Sequence, residues 1–206
     1  DNESPDMSNI VCNDEACYVR NGTRRFNTTA IATNPIRSLY KGYSSSGKKI
    51  FICTTADKIL VSTVSDLNNL NVFYTSGNHT SIWKSTYTSR VRPVNTRFSF
   101  TTFNDQVLMV NQTSHTLKYD IDAGSISIIG GDPPNAKFIL SKGEYVLMAN
   151  TTDQTGTLFF SDVSNSESWP INNQITFQTS QGEMITGMTN ARDGVKIYFD
   201  NSIWKL

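Results

Sequence analysis

The sequence predicts an all-β fold of short antiparallel hairpins, and three observations carry that expectation. Brief runs of β-branched and aromatic residues recur along the 206-residue chain. Gly, Asn, Asp and Ser punctuate those runs, which is the pattern of strands separated by turns. Charge is scarce: Lys, Arg, Asp and Glu make up 17% of residues, against roughly 25% in ordinary domains. Ser, Thr and Asn take their place, and these small polar groups suit strands and turns.

The strand signals, in order, are Ile50 to Thr54, Lys58 to Val64, Gln106 to Val110, Thr116 to Ile121, Glu144 to Ala149, Thr157 to Ser161 and Val195 to Phe199. One stretch departs from the pattern. Leu60, Val64, Leu67 and Leu70 fall at helical spacing, and Ser65 stands where a helix cap would. Asn68, Asn69 and Asn71 limit that segment to a single short turn of helix.

The organisation is repetitive. Four times the chain runs through a polar turn, an apolar strand, a second turn and another strand. The units begin near Ser46-Gly47-Lys48, Asn104-Asp105-Gln106, Lys142-Gly143-Glu144 and Arg192-Asp193-Gly194. Their unequal spacings bracket the roughly 40–50 residues of a propeller blade. A single blade cannot bury both of its faces, whereas neighbours arranged about an axis bury them together. Antiparallel hairpins forming part of a β-propeller are therefore expected over residues 36–206, preceded by an N-terminal arm with entry strands over residues 1–35. An irregular β-sandwich is the alternative. The last unit, Val195 to Leu206, reads as two strands about Asp200-Asn201-Ser202. It stops within an apolar strand, so the expectation is a propeller incomplete at this end and a chain that is the front part of a longer polypeptide.

Bulk properties narrow the function classes. Eighteen basic residues balance 18 acidic ones, so no global field concentrates nucleic acid or draws the chain to an anionic membrane. No apolar run approaches the roughly 20 residues of a membrane-spanning helix, and Asp1 to Asp6 do not resemble a signal peptide. The cysteines are Cys12, Cys17 and Cys53. Cys12 and Cys17 are close enough in sequence to pair but lack the second ligand pair of a zinc site, and plain thiols are expected. Asn-x-Ser/Thr sequons fall at Asn21, Asn27, Asn78, Asn111 and Asn150; in a chain so rich in Asn and Thr they are weak evidence of secretion.

No catalytic, cofactor-binding or metal-binding residue is assigned. His79 and His115 lie in Thr/Ser-rich stretches and read as exposed turn residues, with no Gly-x-Ser-x-Gly elbow to enlist them. Gly130-Gly131-Asp132-Pro133-Pro134 is a turn without the Lys-Ser/Thr of a phosphate loop. Ser161 to Trp169 is reminiscent of the Asp-box turn of sialidases, yet Ser164 and Ser166 occupy the positions of its Asp and Gly. Trp83, Trp169 and Trp204 are expected in the core rather than stacked on bases or sugars.

Several stretches, taken in order, resemble one family. They are Arg20-Asn21-Gly22-Thr23-Arg24-Arg25-Phe26, Ile36 to Tyr43, Phe100 to Asn111, Leu158-Phe159-Phe160-Ser161-Asp162 with Trp169-Pro170, Gly182 to Met188, and Ser202-Ile203-Trp204-Lys205-Leu206. From Asn9 onwards this order is similar to the β-propeller tail hubs, or nozzles, of short-tailed bacteriophages and to the related packaged-DNA stabilisation proteins of the phage neck. Glu183 stands where that family usually has Asp. The resemblance implies a structural virion protein, not an enzyme, made in the host cytoplasm and built into the tail. It implies a homo-oligomeric ring, six-fold, below the portal and its adaptor. The ring would retain packaged DNA and later conduct it without sequence-specific binding, and no membrane insertion is implied. Low charge fits such a passage, because phosphate contacts accumulate and a strongly basic wall would hold the genome. The alternatives are a glycan-binding or glycan-cleaving β-propeller and a secreted adhesion or receptor-binding module.

Overall fold

The structure is a computed structural model and describes residues 10–12, 17–19, 35–55, 58–63, 71–75, 97–179 and 182–206. Among these residues every regular element is a β-strand and every pairing is antiparallel. Strands β1 (Ile10–Cys12) and β2 (Cys17–Val19) form a small hairpin. The first four-stranded sheet follows as β3 (Ser38–Tyr43), β4 (Lys49–Thr54), β5 (Lys58–Thr63) and β6 (Asn71–Thr75). The second is β7 (Ser99–Phe103), β8 (Gln106–Val110), β9 (Leu117–Asp120) and β10 (Ser125–Ile128). The third is β11 (Ala136–Lys142), β12 (Tyr145–Thr151), β13 (Thr157–Phe160) and β14 (Gln174–Thr176). The fourth sheet comprises β15 (Ile185–Ala191), β16 (Gly194–Phe199) and β17 (Ile203–Lys205). Within each sheet the spatial order is the order of the sequence, so every connection is to an immediate neighbour.

The sheets pack in succession, and the two-residue period of a strand explains how. On β8, Val107 and Met109 join Ile50, Ile52, Ile59 and Val61 of the first sheet in one core. The intervening Leu108 and Val110 point the other way, into a second core with Ile139, Val146 and Met148 of the third sheet. On β12 the division repeats: Leu147 and Ala149 leave that core for a third one with Ile185, Val195, Ile197 and Phe199. Strands buried on both faces need apolar residues at consecutive positions, and β8 and β12 read Gln-Val-Leu-Met-Val and Tyr-Val-Leu-Met-Ala-Asn-Thr. Each such side chain contributes about 1.5–3 kcal/mol on burial. In β16, by contrast, Val195, Ile197 and Phe199 are buried and the residues between them are half-exposed, because this strand belongs to only one of the cores.

The seven strands expected from sequence are β4, β5, β8, β9, β12, β13 and β16, with β8 matched at both ends and no end displaced by more than two residues. They are the second and third strands of the sheets. Of the segment with helical spacing, Leu60 lies in β5 and is buried; residues 64–70 lie outside the described residues. The expected terminal hairpin is β16–β17, closed by a turn in which Asn201 and Ser202 donate hydrogen bonds to the Glu183 carboxylate at 3.0 and 2.9 Å. Glu183 thus serves the turn with the same acceptor group that Asp would bring.

Candidate functional site

The sheets converge along their first strands: β3 neighbours β7, β7 neighbours β11, and β11 neighbours β15. These strands are not joined as a continuous ladder. Hydroxyl side chains at the joint bridge them instead. Ser38 Oγ accepts the Phe98 N–H at 2.9 Å, and Ser99 Oγ accepts the Ile139 N–H at 3.3 Å. Thr101 Oγ1 accepts the Ser141 N–H at 2.9 Å, while Ser141 Oγ donates to the Thr102 carbonyl. The Asn190 amide closes the series by donating to the Ser141 carbonyl at 2.9 Å. The prevalence of Ser and Thr at this edge has a physical cause: short hydroxyls satisfy backbone groups that the converging strands cannot pair with one another. Gly42 lies where a Cβ would come within 3.0 Å of Val107 on the adjoining sheet.

The charge along this edge is one-signed. The four first strands carry Lys41, Lys137 and Lys142, and neither Asp nor Glu occurs in them. Lys142 Nζ donates to the Ala191 carbonyl across the joint between the third and fourth sheets. Lys41 lies over the Tyr43 and Phe51 rings. Sequence reasoning did not group these lysines, because their common edge exists only once the sheets have stacked.

Carboxylates fasten the sheets elsewhere. The Asn104-Asp105 turn between β7 and β8 has positive φ at both residues, as a two-residue type I′ hairpin requires. It sets the Asp105 carboxylate against the β3–β4 turn, where Ser45 donates its hydroxyl at 2.6 Å and its N–H at 2.5 Å. The hydroxyl first, and then the backbone N–H, hold the Asp105 carboxyl below the usual range. Glu167, in the β13–β14 connection, reaches back to Lys118 on β9 and to the Gly130 N–H. The Lys118 ammonium, followed by that N–H, lowers the Glu167 pKa.

The singled-out residues divide sharply. Cys53 is buried in β4, where desolvation pushes its thiol pKa up. His115 is half-buried, a correction to the exposed turn residue expected. Its segment is drawn in by Asn111, whose Oδ1 accepts the N–H groups of Thr113 and Ser114 and the Ser114 hydroxyl. Trp169 packs on the second core as expected, with its indole N–H donating to the Ser166 carbonyl at 2.8 Å. Trp204 is 41% exposed, not a core residue; it lies on the outermost strand of a three-stranded sheet, edge-on to Phe177. Asn111 and Asn150 are both 4% exposed, and the Asn150 amide donates to the Ile185 carbonyl at 2.7 Å. A sequon whose acceptor nitrogen is spent on a buried hydrogen bond is not a glycan site in the folded chain. Asn21, Asn27, Asn78, His79 and Trp83 lie outside the described residues. No group of three or more His, Cys, Asp or Glu side chains able to hold a metal occurs among the described residues.

Beyond the joint, the outer face of the fourth sheet is open. Ile203 on β17 is 66% exposed, and its cross-strand partner Tyr198 is half-exposed on the same face. Each preceding sheet has a fourth strand outside its third; β17 is the last strand of its sheet among the described residues.

No protein-family model matches the chain, and no curated protein matches it. Solved structures do. The computationally designed Ika4 protein has a TM-score of 0.55 at 9% identity, over 90% of this chain and 99% of that one. The computationally designed Ika8 protein has a TM-score of 0.56 at 10% identity, over 97% of this chain and 56% of that one. At such identities the likeness is one of fold alone. No helix among the described residues is long and apolar enough to cross a membrane.

Proposed function

We propose that this chain is a structural protein of a bacteriophage tail, a hub, nozzle or neck component, whose successive sheets are blades of a β-propeller. The supporting observation is positional. Apart from Arg20 to Phe26, which lies outside the described residues, the stretches that resemble the tail-hub family fall in chain order on the four successive sheets. Ile36 to Tyr43 leads into and forms β3, the first strand of the first sheet. Phe100 to Asn111 spans the first hairpin of the second sheet, β7 to β8. Leu158 to Asp162 covers most of β13, and Trp169 packs on the second core, as does Phe159 of that strand. Gly182 to Met188 enters β15, and Ser202 to Leu206 contains β17. Motifs distributed in order over successive sheets support a repeat protein of that kind.

The sheet order fits a propeller better than a sandwich. Four sheets in a row, each a meander, with adjoining first strands and a core between each pair, repeat one operation. The open face bearing Tyr198 and Ile203 is where that operation would place a further sheet or a neighbouring copy. In this reading copies assemble into a ring, six-fold, beneath the portal and adaptor, and DNA passes through it without base-specific contacts.

Negative-stain imaging of the full-length gene product, alone and mixed with the portal–adaptor complex, tests the proposal. Closed rings, or density capping the adaptor, are expected. Monomers in both samples would overturn it, and a glycan array with a sialidase assay would then examine the other propeller functions.

A further inference from the structure

We infer that Arg97 and Lys137, with Arg37 level beside them, form a phosphate-binding site at the head of the edge along which the sheets converge. The hydrogen bonds across the joints fix how the first strands lie against one another. Ser38 meets Phe98, 60 residues on, while Ser99 meets Ile139 and Thr101 meets Ser141, both 40 residues on. Two contacts with one offset mean that β7 and β11 run in the same direction and stay level. Arg37 immediately precedes Ser38, and Arg97 immediately precedes Phe98. Arg97 also stands two residues ahead of Ser99, as Lys137 stands two ahead of Ile139. The three cations therefore share one level on three successive sheets. They are 60 and 40 residues apart in the chain, so no local motif announces them.

The row is not neutralised by its surroundings. Arg97 and Lys137 are exposed, and Arg37 is half-buried. The ion pairs among the described residues, Lys118–Glu167 and Lys205–Asp193, lie elsewhere. The nearest carboxylate along the chain is Asp132, five residues ahead of Lys137 and beyond Pro133 and Pro134. Glu183, at the entrance to β15, accepts hydrogen bonds from Asn201 and Ser202 instead. The Phe138 ring, its centroid 5.5 Å from Lys137 Nζ, holds that ammonium close to its own strand. Like charges set side by side on neighbouring strands repel one another, and an anion between them removes that cost.

The donors select the kind of anion. A guanidinium presents a planar fork that engages two oxygens of a phosphate, while an ammonium acts on it as a point charge. A phosphate group directs oxygens at several cations at once, because its oxygens are tetrahedral and its charge is spread over them. A carboxylate has two oxygens in one plane and a single charge, and serves three cations poorly. The phosphate can arrive free, as in an oligophosphate, or within a nucleic-acid chain. The site needs only the joined sheets and does not depend on ring assembly.

Titration calorimetry of the full chain, with tripolyphosphate and separately with a short single-stranded oligodeoxynucleotide, tests the site. Saturable binding of at least one probe is expected, and the probe that binds identifies the source of the phosphate. Arg97→Gln and Lys137→Gln should each weaken that binding by about tenfold, the loss of one charge-assisted contact. Arg97→Lys keeps the charge and should lose less. Lys49→Gln, which removes an exposed lysine of β4, should leave the affinity unchanged. Melting curves without added phosphate check that these variants keep the fold, and the comparison of Arg97→Lys with wild type stands even where a glutamine variant does not. Absence of saturable binding of either probe at millimolar concentration would overturn the inference. So would an equal loss in Lys49→Gln, which would show attraction to the whole surface and not to this row.

Discussion

Gly131 combines two demands that are usually met separately, and a pair of alanine substitutions tells them apart. Its φ is +76°, a left-handed conformation, and a Cβ built on it would lie 1.8 Å from the Glu167 carbonyl oxygen. Gly47, in the β3–β4 turn, has a similar φ of +83° with nothing within 4 Å of the same Cβ position. Gly47→Ala therefore incurs only the left-handed conformational cost, about 1 kcal/mol. Gly131→Ala incurs that and must also drive the Glu167 backbone back by more than an ångström. The segment so displaced carries the Lys118–Glu167 ion pair, the Gly130 contact to Glu167 and the Ser166 carbonyl that receives the Trp169 indole. Losing the half-exposed ion pair costs up to about 1 kcal/mol, and a disrupted hydrogen bond about 1 kcal/mol more. The expected total for Gly131→Ala is about 3–4 kcal/mol. At roughly 2–4 °C per kcal/mol for a chain of this size, its melting temperature should fall by about 10 °C against about 3 °C for Gly47→Ala. Urea titration gives the same comparison as a shift in midpoint at unchanged slope. If the two variants agree within about 1 kcal/mol, the close approach of the 130–131 turn to Glu167 does not constrain the fold.

Other perturbations address other joints. Leu108→Ala, at a fully buried site between the second and third sheets, should cost about 2–5 kcal/mol. Ile203→Ala on the open face should stay within about 0.5 kcal/mol, and chemical denaturation compares the two. Asn150→Ala removes the donor to Ile185 and a side chain tolerant of the φ of +60° found there; about 2 kcal/mol of destabilisation is expected from the unpaired buried carbonyl and the strained backbone. Expression in a glycosylating host should leave Asn111 and Asn150 unmodified in the folded protein, as read by peptide mass. Glu167 has a folded pKa below its ordinary 4.5, so the unfolded chain binds its proton more tightly. Its stabilisation is complete above about pH 5 and is lost as pH falls through the lowered folded value. The advantage of the wild type over Glu167→Gln should accordingly be larger near neutral pH than at about pH 3, measured by urea unfolding at both.

What could be read from the sequence was set by burial. β8 and β12 are apolar at consecutive positions because both faces are covered, and they stand out in the bare chain. β7, as Ser-Phe-Thr-Thr-Phe, and β10, as Ser-Ile-Ser-Ile, do not. The hydroxyls of β7 are partners for the adjoining sheet, and that reason is invisible without the neighbour. Asn111 and Asn150 show the same limit. Each matches a local string for glycan attachment, yet the Asn150 amide is committed to Ile185, which belongs to another sheet. The edge formed by Lys41, Lys137 and Lys142 had no local signature, since nothing in any one strand reports which others adjoin it. Trp204 erred in the opposite direction: its residue type indicated core, and the position of β17 at the margin of its sheet left it half in solvent.

The alternation along β8 has a consequence for how the molecule tolerates change. Val107 and Leu108 share a peptide bond but inhabit different interiors, one with Ile50 and the other with Met148. Substitutions at these adjoining positions should be compensated by partners on opposite sides, each drawn from a different stretch of sequence. Drift in one interior then leaves the other undisturbed, and the chain can remodel one joint at a time. An inserted residue has no such privacy. It exchanges the two interiors for every position that follows it in the strand, delivering each side chain to a cavity shaped for its neighbour.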